Sequence, residues 1–220
     1  MSQRILVINP NSLQAVTDHI SLAMEKLRLA DGPAIDCICL PGGPPGIESQ
    51  AHIESVVQPL RDLIIERTPD TDAFIIACYS DPGLAAAREA TKQPVFGIAE
   101  SGMLVALTRG ERFGVISILA TSIGRHVRYV RALGLFERFA GDRAIGLGVA
   151  ELSDEDKVLA RMIETGKTLR DTDGADVLVM GCGGMARYRD RLQDAVGIPV
   201  VEPTQAAVTL ALGAVRLGQY

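Results

Sequence analysis

Few cysteines, no basic surplus and no long apolar run set the first limits on this chain of 220 residues. Four cysteines are too few for a disulfide scaffold. Each therefore has to be read as core, ligand or nucleophile. Lysine and arginine total 22 against 27 aspartate and glutamate, a net charge of −5. Nothing in that balance draws in a phosphate backbone, so nucleic acid is not an expected partner. No apolar stretch approaches the ~18 residues that would span a membrane. The opening run Met1-Ser2-Gln3-Arg4-Ile5-Leu6-Val7-Ile8-Asn9 is too short for a signal sequence and has no cleavage site of small residues. The expectation is a soluble cytoplasmic protein without a membrane partner. There is no Walker A lysine motif, and His19, His52 and His126 lack ligand spacing, so no metal is expected.

What is present is an ordinary globular mix, 47% hydrophobic and 22% charged, which excludes disorder as the main state. Short apolar runs at 5–9, 35–40, 73–78, 95–98, 113–118, 144–149, 177–181 and 199–201 read as strands. They alternate with helical patterns at 13–29, 47–66, 83–91, 102–108, 122–133, 154–170, 186–196 and 205–217. Such alternation argues α/β with parallel sheets covered on both faces. Pro59 should kink or split the second helix, and Ser153-Asp154-Glu155-Asp156 reads as a helix start.

A weak internal repeat organises the chain. Ala73-Phe74-Ile75-Ile76-Ala77-Cys78 resembles Val177-Leu178-Val179-Met180-Gly181-Cys182, with the cysteines 104 residues apart. Pro94 and Pro199 follow 105 residues apart, and 4–12 pairs with 112–122 as strand, polar loop, helix. The inferred fold is two similar parallel-sheet α/β domains related by a pseudo-two-fold axis, with the site in the cleft between them. The first lobe spans 1–98 plus 205–220, the second 99–204.

Ligands of open parallel sheets bind beyond the carboxyl ends of the strands. The loops placed there are Asn9-Pro10-Asn11-Ser12, Cys78-Tyr79-Ser80-Asp81-Pro82, 117–122 and Cys182-Gly183-Gly184-Met185. Two of them begin with cysteine, one from each half. Asp81 reads as an N-cap with Pro82 in the first turn, which would place Cys78 beside a helix N-terminus that stabilises a thiolate. Gly183 and Gly184 let backbone N–H groups approach a ligand. Burial as small apolar residues is the competing reading of both cysteines. Two opposed thiols suit proton removal from one face of a carbon acid and proton return to the other, without a cofactor.

The residues resemble the aspartate/glutamate racemase superfamily, and within it the hydantoin and allantoin racemase branch. The resemblance rests on Ile8-Asn9-Pro10-Asn11-Ser12, Gly43-Pro44-Pro45-Gly46-Ile47-Glu48-Ser49, Ala77-Cys78-Tyr79-Ser80-Asp81-Pro82-Gly83-Leu84, Ala87-Arg88-Glu89, Pro94-Val95-Phe96-Gly97-Ile98, Gly181-Cys182-Gly183-Gly184-Met185 and Pro199-Val200. It implies Cys78 and Cys182 as the acid/base pair and neither metal nor pyridoxal cofactor. It implies substrate contacts from Asn9, Asn11, Ser12, Tyr79, Ser80, Gly183 and Gly184, and more loosely from Thr121 and Ser122. An oligomer is expected on this ground alone. Two departures touch the pocket: the branch usually has a second acid where Ser80 stands, and alanine where Gly183 stands.

Other readings are weaker. Gly181-Cys182-Gly183-Gly184-Met185-Ala186 fits a dinucleotide-binding pattern, with Glu202 as the following acid, but it lies late in the chain. Cys37 and Cys39 share one face of a strand and read as core rather than metal clip. His52, four residues after Glu48, reads as a helix-face pair. His126 follows a presumed site loop and either tunes it or, the preferred reading, lies on the surface. Acidic amino acids and maleate-type substrates remain alternatives within the superfamily. A non-catalytic small-anion binder is the alternative outside it, separated by whether the thiols alkylate readily at pH 7.

Overall fold

The apolar runs form strands whose two faces are both buried. The computed structural model describes residues 3–218. Its strands are β1 (Arg4–Asn9), β2 (Ala34–Cys39), β3 (Ala73–Ile76), β4 (Val95–Gly97), β5 (Phe113–Ser117), β6 (Phe139–Ala144), β7 (Val177–Met180) and β8 (Val200–Val201). The helices are α1 (Gln14–Ala23), α2 (Gln50–Arg67), α3 (Leu84–Ala90), α4 (Ile98–Ala106), α5 (Ala120–Ala132), α6 (Glu155–Asp171), α7 (Arg189–Val196) and α8 (Pro203–Leu217). Two parallel sheets result, ordered β2-β1-β3-β4 and β6-β5-β7-β8. Alternation along each strand assigns its side chains to two cores. Ile5, Val7 and Ile75 pack with α1 and α8, while Leu6, Ile8, Phe74 and Ile76 pack under α2 and α3. In the second sheet Ile116, Leu178 and Met180 face α6 and α7, and Phe113, Val115, Val177 and Val179 face α4 and α5.

The repeat is written in hydrogen bonds as well as in order. Ala77 N donates to Ile8 O at 2.8 Å, as Gly181 N does to Ile116 O at 2.8 Å. Leu40 N to Asn9 O (2.8 Å) is matched by Ile145 N to Ser117 O (2.9 Å), and Phe74 N to Pro94 O (3.0 Å) by Leu178 N to Pro199 O (2.9 Å). In each sheet the order reverses beside the first strand. The loops after β1 and β3, and after β5 and β7, therefore splay apart and open a crevice at the carboxyl edge.

Several local expectations change. The strand expected at 144–149 is β6, five residues earlier. Gly146, at φ +75°, ends any extended run, yet Ile145, Leu147 and Val149 are still buried in the second lobe's core. Pro59 does not split α2. It is exposed, as is Ser55, so water can satisfy the carbonyl that the proline leaves without a donor. Asp154 caps α6 through Lys157 N, as expected. Glu202 caps α8 through Thr204 N (3.0 Å) and Gln205 N (2.6 Å), so its carboxylate is not free for a nucleotide ribose. Asp81 does not cap its own helix, whose N-cap is Gly83. Among the described residues no helix is long and apolar enough to cross a membrane.

Asp81 instead sits at φ +43° and turns its buried carboxylate toward α4. It accepts from Ala99 N (2.9 Å), Glu100 N (2.8 Å) and Tyr129 Oη (2.9 Å). Burial pushes its pKa up to about 7, against the pull of those donors. The carboxylate lies directly over Gly97, where a Cβ would overlap it. Gly97→Ala should therefore expel Asp81 and uncap α4, at a cost of about 2 kcal/mol or more in urea unfolding.

Candidate active site

The cleft lies where the two crevices meet. It is lined from the first lobe by Asn9, Asn11, Cys78, Tyr79 and Ser80, and from the second by Ser122, Cys182, Gly183 and Gly184. Nine of the eleven residues expected at the site are thus brought together. Ser12 and Thr121 are not among the lining residues. Ser12 is exposed, with its amide donating to Pro44 O (3.1 Å). Thr121 faces solvent from the first turn of α5, and its carbonyl accepts from Arg125 (2.9 Å).

Each cysteine is placed by its strand. Ala77 and Gly181 make the last cross-strand bond, and the chain then leaves the sheet with Cys78 or Cys182 as the next residue. No residue but glycine fits at 181, since a Cβ there would lie 2.7 Å from Ile116 O. Both thiols are half-buried on the cleft walls. Desolvation by the surrounding walls pushes Cys78 up to about 12 and Cys182 up to about 11. The backbone amides of Ser80 and Gly184 act in the opposite sense, and Arg125 also favours the Cys78 thiolate. The expected stabilisation of Cys78 by a following helix is absent, because α3 starts only at Leu84.

Asn9 and Asn11 shape the first loop. Asn9 Nδ2 donates to Asn11 Oδ1 (2.8 Å) and Thr17 Oγ1 (3.0 Å), and Asn11 Oδ1 also accepts from Leu13 N (3.0 Å). Among the described residues Asn11 Nδ2 has no partner, which leaves it as a donor toward the cleft. The rim is closed by contacts between halves. Glu48 Oε1 accepts from Val149 N (2.9 Å), and Glu48 O accepts from Arg125 Nη2 (3.2 Å). Gly46 lies close against Val149, where a Cβ would be 3.1 Å away. This favours glycine at 46, and at Gly43 a Cβ would lie 2.6 Å from Pro10 O.

Sequence reasoning missed the apolar lining: Val16, Ile47, Ile118 and Val149. Their signal was only that each adjoins a strand-end loop or the 43–49 motif. His126 is not on the surface; it is 5% exposed and lines the cleft, with its ring edge-on to Tyr79 at 5.2 Å. Cys37 and Cys39 are half-buried, and Cys37 packs against the first lobe's core. Among the described residues no group of three histidine, cysteine or acidic side chains could hold a metal.

A profile of the Asp/Glu/hydantoin racemase family matches residues 5–211. The chain belongs to that family. It is accordingly a racemase, an isomerase. A hydantoin racemase from Paenarthrobacter aurescens is 35% identical over 219 residues, 98% of this chain and 92% of that one. An allantoin racemase from Klebsiella pneumoniae superposes with a TM-score of 0.90 at 33% identity, covering 99% of this chain and 89% of that one. An allantoin racemase from Pseudomonas fluorescens reaches 0.94 at 28% identity, covering 98% and 92%.

Two predictions follow from the racemase cleft. Since burial raises both thiols, alkylation of the free enzyme by iodoacetamide should be slow at pH 7 and still accelerating at pH 10, read peptide by peptide in a mass spectrometer, so slow alkylation at pH 7 does not separate a catalytic pair from a non-catalytic binder. A plateau below pH 8 would contradict the desolvated environment. Gly183 has ordinary φ, and a Cβ there would meet Ala77 O, Ile20 and Thr204 at 3.5 Å, an easy contact. Gly183→Ala should therefore fold, retain activity and gain about 0.4–1 kcal/mol in urea unfolding.

Proposed function

We propose that this racemase acts on a five-membered ring carbon acid, a 5-substituted hydantoin or allantoin, and that Cys78 and Cys182 are its two bases. The observation that carries the reading is the placement of two thiols at equivalent strand ends, on opposite lobes of one cleft. One cysteine, as thiolate, takes the proton from C5 of the ring. The electron pair passes into the adjacent carbonyl as an enolate, which backbone N–H groups and Asn11 Nδ2 can stabilise. The other cysteine, as thiol, returns a proton to the opposite face of C5. The product has inverted configuration, and the thiol and thiolate have exchanged places.

The neutral ring is favoured over an acidic amino acid by the cleft itself. Among the described residues its lining includes no lysine or arginine to pair with two carboxylates, whereas Val16, Ile47, Ile118 and Val149 offer an apolar wall to a ring substituent. The hydantoin and allantoin racemases among its relatives support the same substrate class. The lobes of the mechanism are taken as 1–98 with 205–220, and 99–204. The packing of α8 against β1 and β3 supports returning the last helix to the first lobe.

Proton NMR in D₂O on enantiopure 5-substituted hydantoins and allantoin, with chiral chromatography, tests the reaction. The wild type should exchange the C5 proton and racemise. Cys78→Ser and Cys182→Ser should each lose racemisation by at least a thousandfold, with exchange of one enantiomer surviving in each. Full racemisation by either variant would refute the two-base scheme.

A further inference from the structure

The second lobe buries an acid–imidazole pair that the first lobe does without. His126 Nδ1 lies 2.7 Å from Asp142 Oδ2 and 3.1 Å from Ser117 Oγ, and the two side chains are 6% and 0% exposed. The repeat identifies their counterparts. Val115 pairs with Asp142 across β5 and β6, as Val7 pairs with Cys37 across β1 and β2. Ser117 reaches His126 on α5, as Asn9 reaches Thr17 on α1. The same fold is therefore built with a cysteine and a threonine at these places. Burying an acid and an imidazole is costly even when they are paired, Asp142 Oδ1 has no hydrogen-bond partner among the described residues, and such groups cluster at functional sites.

The pair is also aimed. Where the ring donates from Nδ1 to the Asp142 carboxyl oxygen, the neutral imidazole presents Nε2 as an acceptor. Nε2 is on the far side of the ring from β6 and makes no hydrogen bond among the described residues. The ring itself lines the cleft beside Tyr79 and Cys78. Donors in the cleft, Asn11 Nδ2 and the backbone amides, can serve a substrate's carbonyl oxygens. A ring N–H needs the opposite, and Nε2 supplies it. We infer that His126, oriented by Asp142, is the group that recognises a ring N–H of the substrate and so selects cyclic imides and ureides. This rests on the hydantoin reading above.

The test uses 5-methylhydantoin and its 1-methyl and 3-methyl derivatives. For the wild type, methylation of the nitrogen facing His126 should lower kcat/KM at least tenfold, mainly through KM. In His126→Phe, which keeps a ring but no acceptor, the parent should weaken and that penalty should fall to less than threefold. Equal turnover of all three compounds by the wild type, or an undiminished penalty in the variant, overturns the assignment. A measurement on the wild type alone guards against a misfolded variant. In ¹⁵N spectra of histidine-labelled enzyme, His126 should show a protonated Nδ1 and a bare Nε2 whose signal shifts when unsubstituted hydantoin is added. A protonated Nε2 in the free enzyme, or no shift with hydantoin bound, also overturns it. Failure of the wild type to racemise any hydantoin, with Nε2 still shifting, would instead refute the racemase substrate and leave the recognition role standing.

Discussion

The Asp81 carboxylate is the constraint on which the site geometry rests. The loop that carries Cys78 has to leave β3, turn away from the sheet and meet the second half of the chain. A left-handed residue achieves the turn, at a conformational cost that only an over-determined setting sustains. Three donors provide that setting: two amides at the start of α4 and the hydroxyl of Tyr129 on α5. Because Tyr129 belongs to the helix that also carries His126 and Arg125, one buried carboxylate couples the first cysteine's loop to the wall that faces it. Gly97 is the necessary counterpart, since the carboxylate occupies the space of its side chain.

Around that clasp the two sheets set matched strand ends against each other, and the match is what a racemase needs. The reaction interconverts mirror images, so a site offering equivalent bases to the two faces of one carbon serves both directions. On the proposed mechanism, the duplicated strand-end geometry supplies those bases as Cys78 and Cys182. On the inference drawn for His126, the departures from symmetry carry discrimination. The first lobe contributes an asparagine network, and the second contributes Ser117, His126 and Asp142 at the equivalent places on β5, α5 and β6.

Much of this was legible in the sequence because parallel strands buried on both faces write continuous apolar runs, and because Cys78 and Cys182 recur at one spacing. The architecture and the crevice follow from those two signals, and the resemblance to the racemases pointed to nine of the residues that line it. What was illegible depends on contacts made far along the chain. Asp81-Pro82 has the local chemistry of an N-cap, but its carboxylate finds better donors at 99 and 100. His126 stands in an arginine-rich helical stretch that looks solvated, and only the position of Asp142 on an edge strand shows that the ring turns inward. The strand expected at 144–149 was displaced because Gly146 breaks the extended chain, whereas Ile145, Leu147 and Val149 remain apolar for the sake of the core.

The elevated thiols fit proton transfer better than pre-formed thiolates would. A carbon acid beside a carbonyl is weak, so a base of low pKa would be ionised at neutral pH but too feeble to take its proton. The walls that raise Cys78 to about 12 and Cys182 to about 11 make each thiolate a strong base once formed. They act on both thiols in the same direction. On the proposed mechanism each turnover leaves the proton on the opposite cysteine, so a large mismatch would trap the enzyme in the form that serves one enantiomer. Burial that pushes both thiols in the same direction works against such a mismatch.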